Sequence, residues 1–152
     1  MRGTKPSTLR YGLALVIALM PFTAWAADPI GQVKTMSGPV TVERGGTAAP
    51  IAVGDHVFQS DVVVTAAGGT VGITFADNSM MSLGPDSRLV LDDFQFDTTT
   101  HEGKFDSSLE QGTIAVKSGQ IVHQTPEAMH IKTPSAVLGV RGTEFVVRAE
   151  KK

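Results

Sequence analysis

Residues 32–46 read QVKTMSGPVTVERGG and contain two short runs of alternating side chains, each followed by turn-forming residues. Valine and threonine favour extended backbone, and alternation of apolar with polar residues is typical of a strand with one buried face. Gly38 and Pro39 follow the first run and Gly45 and Gly46 follow the second. Because glycine and proline fit tight turns, the stretch predicts strand, turn, strand and turn.

The same pattern recurs along most of the chain. Further runs lie at 61–65 (DVVVT), 70–75 (TVGITF), 80–83 (MMSL), 88–91 (RLVL), 113–117 (TIAVK), 120–123 (QIVH), 129–133 (MHIKT) and 144–148 (EFVVR). After residue 27 no window of about 11 residues places its apolar side chains at helical spacing. We therefore predict an all-β domain in which short strands form a rolled or solenoid-like stack, with a β-sandwich as the alternative.

Residues 92–108 (DDFQFDTTTHEGKFDSS) form the most polar segment of this region. Phe94, Phe96 and Phe105 alternate there with acidic and polar residues. Alternation of this kind places the aromatic rings on one face of an extended chain. The segment is therefore predicted to be a long hairpin or an exposed loop that touches the core with one face.

The first 26 residues have the organisation of a secretory signal peptide. Arg2, Lys5 and Arg10 precede the uncharged apolar residues 12–24, and Ala24-Trp25-Ala26 provides the small residues of a cleavage site. The apolar run is shorter than the roughly 20 residues that cross a bilayer. We expect cleavage after Ala26, a domain at 27–152, a periplasmic location and no stable membrane insertion after cleavage.

Charge and cysteine content exclude several classes of protein. Three of the 13 basic residues lie in the leader and all 15 acidic residues follow it, which leaves the mature chain with a net charge of −5. A negatively charged chain without a basic stripe is a poor ligand for nucleic acid or for anionic lipid. The chain has no cysteine, so the domain is expected to be stable without disulfides.

Five sequence motifs follow one another in a specific order. They are 31–33 (GQV) with 40–42 (VTV), 54–65 (GDHVFQSDVVVT), 71–79 (VGITFADNS) with 83–87 (LGPDS), 109–114 (LEQGTI), and 131–136 (IKTPSA) with 140–145 (VRGTEF). This order resembles the FecR domain family over residues 31–148. The best-known members of that family span the inner membrane, carry a cytoplasmic anti-sigma segment and sense a TonB-dependent receptor through their periplasmic part.

For this chain the resemblance implies an exported interaction module that takes part in envelope sensing or signalling. We expect neither the anti-sigma segment nor the additional C-terminal signalling subdomain of those regulators. The resemblance also implies that the motif positions contribute to binding. These positions are Gly54, Asp55, Asp61, Asp77, Thr133, Pro134, Arg141, Gly142 and Thr143.

The acidic motif positions allow two interpretations each. Asp55 and Asp61 fit a paired-carboxylate site, but residues that cap backbone N–H groups in turns are the commoner arrangement. Asp77, followed by asparagine and serine, predicts a hairpin turn, and no spacing typical of a calcium loop follows it.

The C-terminal motif predicts a corner and a closing strand. Thr133-Pro134 is expected at a strand edge or corner, because proline lacks a backbone donor. Arg141 either grips a carboxylate of a partner or ties the domain together through an acid such as Asp77 or Asp86. The glycines at 139 and 142 predict a close approach of the backbone.

No catalytic arrangement emerges from the remaining polar residues. The closest pair of the four histidines, His123 and His130, is seven residues apart, which does not fit a zinc site, and there is no nucleophile elbow. We expect no enzymatic activity, no cofactor and no metal. The leading hypothesis is a module that binds an envelope protein. The alternative is a peptidoglycan or glycan-binding module, which the absence of tryptophan and tyrosine after residue 27 makes less favourable.

Overall fold

The structure, a computed structural model, describes residues 3, 27–142 and 144–151 of the chain. The predicted leader lies outside the described residues apart from Gly3, so its prediction stays a prediction. The elements are β1 (Gly31–Ser37), β2 (Val40–Arg44), β3 (Thr47–Pro50), β4 (His56–Val57), β5 (Val62–Thr65), β6 (Thr70–Phe75), β7 (Met80–Leu83), β8 (Arg88–Phe96), β9 (Gly103–Lys117), α1 (Gln120–Gln124), β10 (Met129–Lys132), β11 (Val137–Gly139) and β12 (Glu144–Ala149).

The long strand β9 belongs to both layers of the fold. Residues 103–111 pair with β8, and residues 105–108 also pair in parallel with β10. Residues 112–117 pair with β12, and residues 114–117 also pair with β7 on the other side. One layer has the order β3-β2-β5-β8-β9-β10-β11 and the other β4-β1-β6-β7-β9-β12, so the sheet curls into a half-barrel.

The inward-facing side chains of both layers form one hydrophobic core. Phe105 of β9 contacts Phe75 of β6 with ring centroids 4.6 Å apart and Phe94 of β8 with centroids 5.1 Å apart, both edge-on. Edge-on pairs at these distances add to the stability that burial alone provides. The aromatic cluster therefore joins the two layers where β9 passes between them.

The sequence predictions of the fold class are confirmed. Strands make up 55% of the chain against one short helix, and the curled sheet fits the rolled all-β class rather than a flat sandwich. Residues 92–108 form the tip of the β8–β9 hairpin, with Phe94 and Phe105 in the core and Phe96 packed against it.

One predicted strand is wrong. Residues 120–123 belong to the helix α1, in which the successive residues Ile121 and Val122 are both buried. Successive side chains of a strand point to opposite faces, whereas one side of a short helix can bury both. The N–H of Gln120 donates to the carbonyl of Asp77 at 2.8 Å, which fixes the start of this helix to the β6–β7 turn.

Gly112 marks the place where β9 passes from one layer to the other. Its φ of +95° lies in the region that favours glycine, and an added Cβ would lie 2.6 Å from the Cβ of Ser87. Ser87 is fully buried, and its hydroxyl accepts a hydrogen bond from the N–H of Thr113 at 3.0 Å. Both the backbone conformation and the packing therefore require glycine at this point.

Replacing Gly112 with alanine is expected to lower the free energy of unfolding by about 3 kcal/mol or more, because the new methyl group overlaps Ser87 and the backbone is strained. Urea unfolding followed by circular dichroism measures the change. Gly139→Ala is the matched control, since an added Cβ there meets no atom of the described part of the chain within 4 Å, and it should change stability by less than about 0.5 kcal/mol. Equal losses in both variants would contradict this account of β9.

Candidate functional site

The structure distributes the predicted site residues over three groups of contacts. Gly54, Asp55 and Asp61 lie around β4, and Asp77 lies in the turn between β6 and β7. The remaining positions lie around β10, β11 and β12, where Thr143 falls outside the described residues. The motif positions therefore take part in three different sets of hydrogen bonds, and a shared binding role for them stays a prediction.

Asp61 anchors a turn through an ion pair in which its own carboxylate is buried and the Arg44 side chain is half exposed. Its carboxylate is fully buried, accepts two hydrogen bonds of 2.7 Å from Arg44 and accepts a third of 2.8 Å from the N–H of Phe58. The hydrogen bonds to Asp61 raise the pKa of Arg44 above its ordinary value. The guanidinium also lies 4.3 Å above the ring of Phe58, a favourable cation–π geometry.

Asp55 caps a separate turn. Its carboxylate accepts a hydrogen bond of 2.8 Å from the N–H of Ala52, and Gly54 before it has a φ of +96°. Asp55 and Asp61 therefore hold different backbone segments, which confirms the capping interpretation. A cleft of about 510 Å³ beside them is lined by Arg44, His56 and Phe58 among others. The guanidinium of Arg44 in this cleft is already paired with Asp61.

Asp77 is a buried acceptor inside the predicted hairpin turn. Its two carboxylate oxygens accept hydrogen bonds from the N–H of Ser79 at 3.0 Å and from the Ser79 hydroxyl at 2.6 Å. The Ser79 hydroxyl in turn accepts from the N–H of Gly119 at 2.9 Å. Both carboxylate oxygens thus serve the fold. Across the described ranges, no group of three histidine or acidic side chains has metal-binding geometry.

Thr133 and Pro134 form the corner between β10 and β11, as the sequence predicts. The hydroxyl of Thr133 accepts from the N–H of Ala136 at 3.1 Å, and its own N–H donates to the carbonyl of Ala136 at 2.8 Å. This closed turn leads directly into β11. Thr133 and Pro134 therefore set the direction in which β11 leaves the corner, and a binding role for them stays a prediction.

The structure corrects two predictions for the segment before β12. Arg141 is paired with an acid of the domain, as one of its two interpretations predicts, but that acid is Glu127 and neither Asp77 nor Asp86, and both side chains of the pair are exposed. Among the described residues, no atom lies within 4 Å of a Cβ added at Gly139 or Gly142, so the predicted close approach of the backbone is not found there. The segment is tied instead by the hydroxyl of Ser118, which donates to the carbonyl of Gly142 at 2.8 Å.

Exposed apolar side chains lie on the C-terminal strands and on β7, and the sequence motifs did not identify them. We define the C-terminal edge surface as β11, β12 and the side chain of Met80 on β7. Four of the five large apolar side chains that the described residues expose belong to it: Met80 (49% exposed), Val137 (65%), Leu138 (38%) and Val146 (68%). The fifth is Val53 (58%), which lies in the turn before β4.

The two strands of the C-terminal edge surface are open edges of the sheet. Strand β11 pairs only with β10 and β12 only with β9 among the described residues. At the opposite edges, β3 ends in Pro50 and β4 has two residues, which are common ways of protecting an edge. Strand β12 has six residues and contains neither proline nor glycine.

A groove of about 490 Å³ crosses the outer face of the sheet at this surface. Its lining includes Met80, Ser82, Ala115 and Val146. The small side chains of Ser82 and Ala115 lie opposite each other on β7 and β9, and Val146 lies opposite Ala115 on β12. The groove is therefore a shallow apolar extension of the β12 edge.

An ionic network lies beside the surface, on β9 and β10. Asp106 is mostly buried and contacts Lys104 at 2.8 Å and the Nδ1 atom of His130 at 3.0 Å. Burial, the largest influence, raises the pKa of Asp106, but hydrogen bonds and charge interactions with Lys104 and His130 outweigh it and hold the pKa below its usual 3.8. The ionised carboxylate therefore stabilises the pairing of β9 with β10.

The depressed pKa of Asp106 predicts a loss of stability in acid. A carboxylate whose pKa is lower in the folded chain stabilises the fold above the unfolded pKa, and this contribution disappears as the pH falls through the folded pKa. We expect the wild type to be more stable than the Asp106→Asn variant at neutral pH, and the difference to shrink below about pH 4. Urea unfolding of both proteins between about pH 7 and about pH 2 measures it, and a constant difference would contradict the prediction.

A family model described as "FecR protein" matches residues 61–152, more than half of the chain. A solved structure described as "Cell surface anchoring domain" is 32% identical with a TM-score of 0.40, over 41% of this chain and 83% of that chain. The comparison with curated proteins found no match. Within the part of the chain that the structure describes, no helix has the length and hydrophobicity needed to cross a membrane.

Proposed function

We propose a function from the premise that this chain belongs to the FecR family, a family of non-enzymatic envelope signalling domains. The chain acts as an exported protein-interaction module that takes part in sensing or signalling in the periplasm. Its partner is another envelope protein. The proposal covers the interaction module alone and assigns no anti-sigma activity to it.

The observation that carries the proposal is the C-terminal edge surface. It combines two open sheet edges with four of the five large apolar side chains that the described residues expose. Open edges offer unpaired backbone donors and acceptors, and exposed apolar clusters mark interaction sites. The surface lies wholly within residues that the family model matches.

Strand β11 is suited to bind an extended segment of the envelope partner. Val137 and Leu138 are neighbours in one strand, so their side chains point to opposite faces of the sheet. A segment added beside β11 would form backbone hydrogen bonds with the strand and cover one apolar side chain on each face. This is strand addition, in which the backbone provides affinity and alternate side chains provide specificity.

Photo-crosslinking in the intact envelope tests this assignment. A photoreactive amino acid at position 137 is expected to crosslink to one defined envelope protein, whereas the same group at position 53 should not. Val53 is the matched control because it is also valine, is similarly exposed and lies in another part of the fold.

Aspartate substitutions at the same two positions test the role of β11 in a binding experiment. Val137→Asp should reduce binding of the identified and purified partner by about tenfold or more, because a charge would be buried next to the added strand. Val53→Asp should leave binding unchanged. If position 137 yields no crosslink beyond that at position 53, or if both aspartate variants bind equally, the proposed role of β11 is wrong.

The export component of the proposal rests on the leader at residues 1–26. We expect the protein in the periplasmic fraction with Ala27 as its N-terminal residue, because Ala24 and Ala26 supply the small residues that signal peptidase requires. N-terminal sequencing and fractionation measure both. Ala26→Trp should block processing, and a wild-type protein that retains Met1 in the cytoplasm would refute export.

A further inference from the structure

The direction of the backbone groups on β12 follows from its neighbour β9. The carbonyl of Thr113 accepts a hydrogen bond from the N–H of Gly84 at 2.9 Å, so the backbone N–H and C=O groups of Thr113 point toward the β7 side. The backbone groups of successive residues in a strand point alternately to its two sides. The backbone groups of Ile114 and Val116 therefore point to the other side, toward β12.

The open side of β12 is consequently defined residue by residue. Val147 and Phe145 lie opposite Ile114 and Val116 and take up their hydrogen bonds. The N–H and C=O groups of Glu144, Val146 and Arg148 then point away from β9, to the side where none of the described strands pairs with β12. These three residues provide three donors and three acceptors along one edge.

The same three residues carry the exposed side chains of the strand. Glu144, Val146 and Arg148 lie on the outer face, while Val147 is buried and Phe145 packs against the core from the other face. The outer face of β12 thus reads acidic, apolar, basic along the chain. An order of this kind is its own complement when it is read in the opposite direction.

We propose that β12 pairs antiparallel with β12 of a second copy of this chain, centred on Val146. In this register each Glu144 lies opposite Arg148 of the other copy, and the two Val146 side chains meet at the two-fold axis. The centre and both flanking positions are hydrogen-bonded pairs, because their backbone groups all point to the open side. The layers of the two copies that contain β12 become one continuous sheet.

Charge selects this register over the others. A parallel pair in register would place Glu144 opposite Glu144 and Arg148 opposite Arg148, and like charges directly opposite are destabilising. A shift of two residues in the antiparallel pair would place valine opposite one of the charged residues and remove both ion pairs. In the two-fold arrangement the open edge of β12 in each copy is occupied by the other copy. The assembly therefore closes as a dimer and does not grow into a fibre through β12.

The charges of β12 are available for such a contact. Glu144 lies 4.0 Å from Lys117 with both side chains largely exposed, which is a weak interaction. In the described part of the chain no acidic group is paired with Arg148. Val146 is 68% exposed, and contact with its counterpart would cover apolar surface that continues the groove beside Ala115.

A disulfide crosslink tests the position of the two-fold axis. The Cα atoms of a hydrogen-bonded antiparallel pair are about 5.5 Å apart, a separation that a disulfide spans. The natural chain has no cysteine, so the Val146→Cys variant can crosslink only through that position. Incubation of the purified variant with oxidised glutathione is expected to give a covalent dimer on a non-reducing gel.

Val53→Cys is the control for random collision, because Val53 is exposed to a similar extent. It should remain largely monomeric under the same conditions. Equal crosslinking of the two variants, or no crosslinking of Val146→Cys, would overturn the proposed axis.

Charge reversal tests the register. Glu144→Arg and Arg148→Glu should each weaken self-association about tenfold or more, because each converts both ion pairs into repulsions. An equimolar mixture of the two variants should form a heterodimer, and the double variant Glu144→Arg/Arg148→Glu should dimerise as the wild type does. All the altered side chains are exposed, so the variants are expected to fold.

Sedimentation equilibrium of the purified proteins gives the readout, and Lys34→Glu on β1 is the control for a change of net charge. A wild type that stays monomeric at all concentrations, or single variants that associate as strongly as the wild type, would refute the dimer. These experiments contain no envelope partner. Their failure therefore leaves the crosslink from position 137 untouched, and a missing crosslink there leaves the dimer untouched.

Discussion

The bend of β9 is the constraint on which the other elements depend. A single strand of 15 residues pairs with β8 and β10 in one layer and with β7 and β12 in the other. Gly112 allows the bend by adopting a positive φ next to the buried Ser87. Since every other strand reaches its layer through pairing that leads to β9, the curvature at this point sets the shape of the core and the direction of both C-terminal edges.

Buried carboxylates complete the stabilisation of this chain, which has no cysteine to form disulfides. Asp61 and Asp77 have no exposed surface, and each carboxylate accepts several hydrogen bonds from backbone or side-chain groups. The cost of burying a polar or charged group is offset when hydrogen bonds, or hydrogen bonds together with an opposite charge, replace water. Arg44 supplies the opposite charge for Asp61, while Asp77 relies on Ser79 and the turn backbone. The family motif thus contains acidic residues whose visible role is to fix turns.

The contrast between protected and open edges connects the fold with its proposed function. At one end of each layer the edge strand has two residues (β4) or ends in proline (β3), whereas the other end presents β11, with three residues, and β12, with six, and these strands expose valine and leucine. The two open strands differ in character. Strand β11 presents adjacent apolar side chains, which suit an extended segment of another protein, and β12 presents a self-complementary order of charges, which suits a second copy. A dimer of this kind would hold two β11 edges in a fixed relation, which would allow a bivalent partner to bind with greater avidity.

The sequence alone determined the all-β class, most of the strands, the turns at Gly54-Asp55 and Asp77-Asn78-Ser79, and the corner at Thr133-Pro134, because alternation and turn chemistry are local properties of the chain. It did not determine that Ile121 and Val122 lie in a helix, that Arg141 pairs with Glu127, or that the motif residues fall into separate groups. Only the tertiary structure decided which strands lie at an edge and which face of each edge is exposed. Pairing between distant segments determines both, and the local side-chain pattern of β12 is the same whether or not its second side is paired.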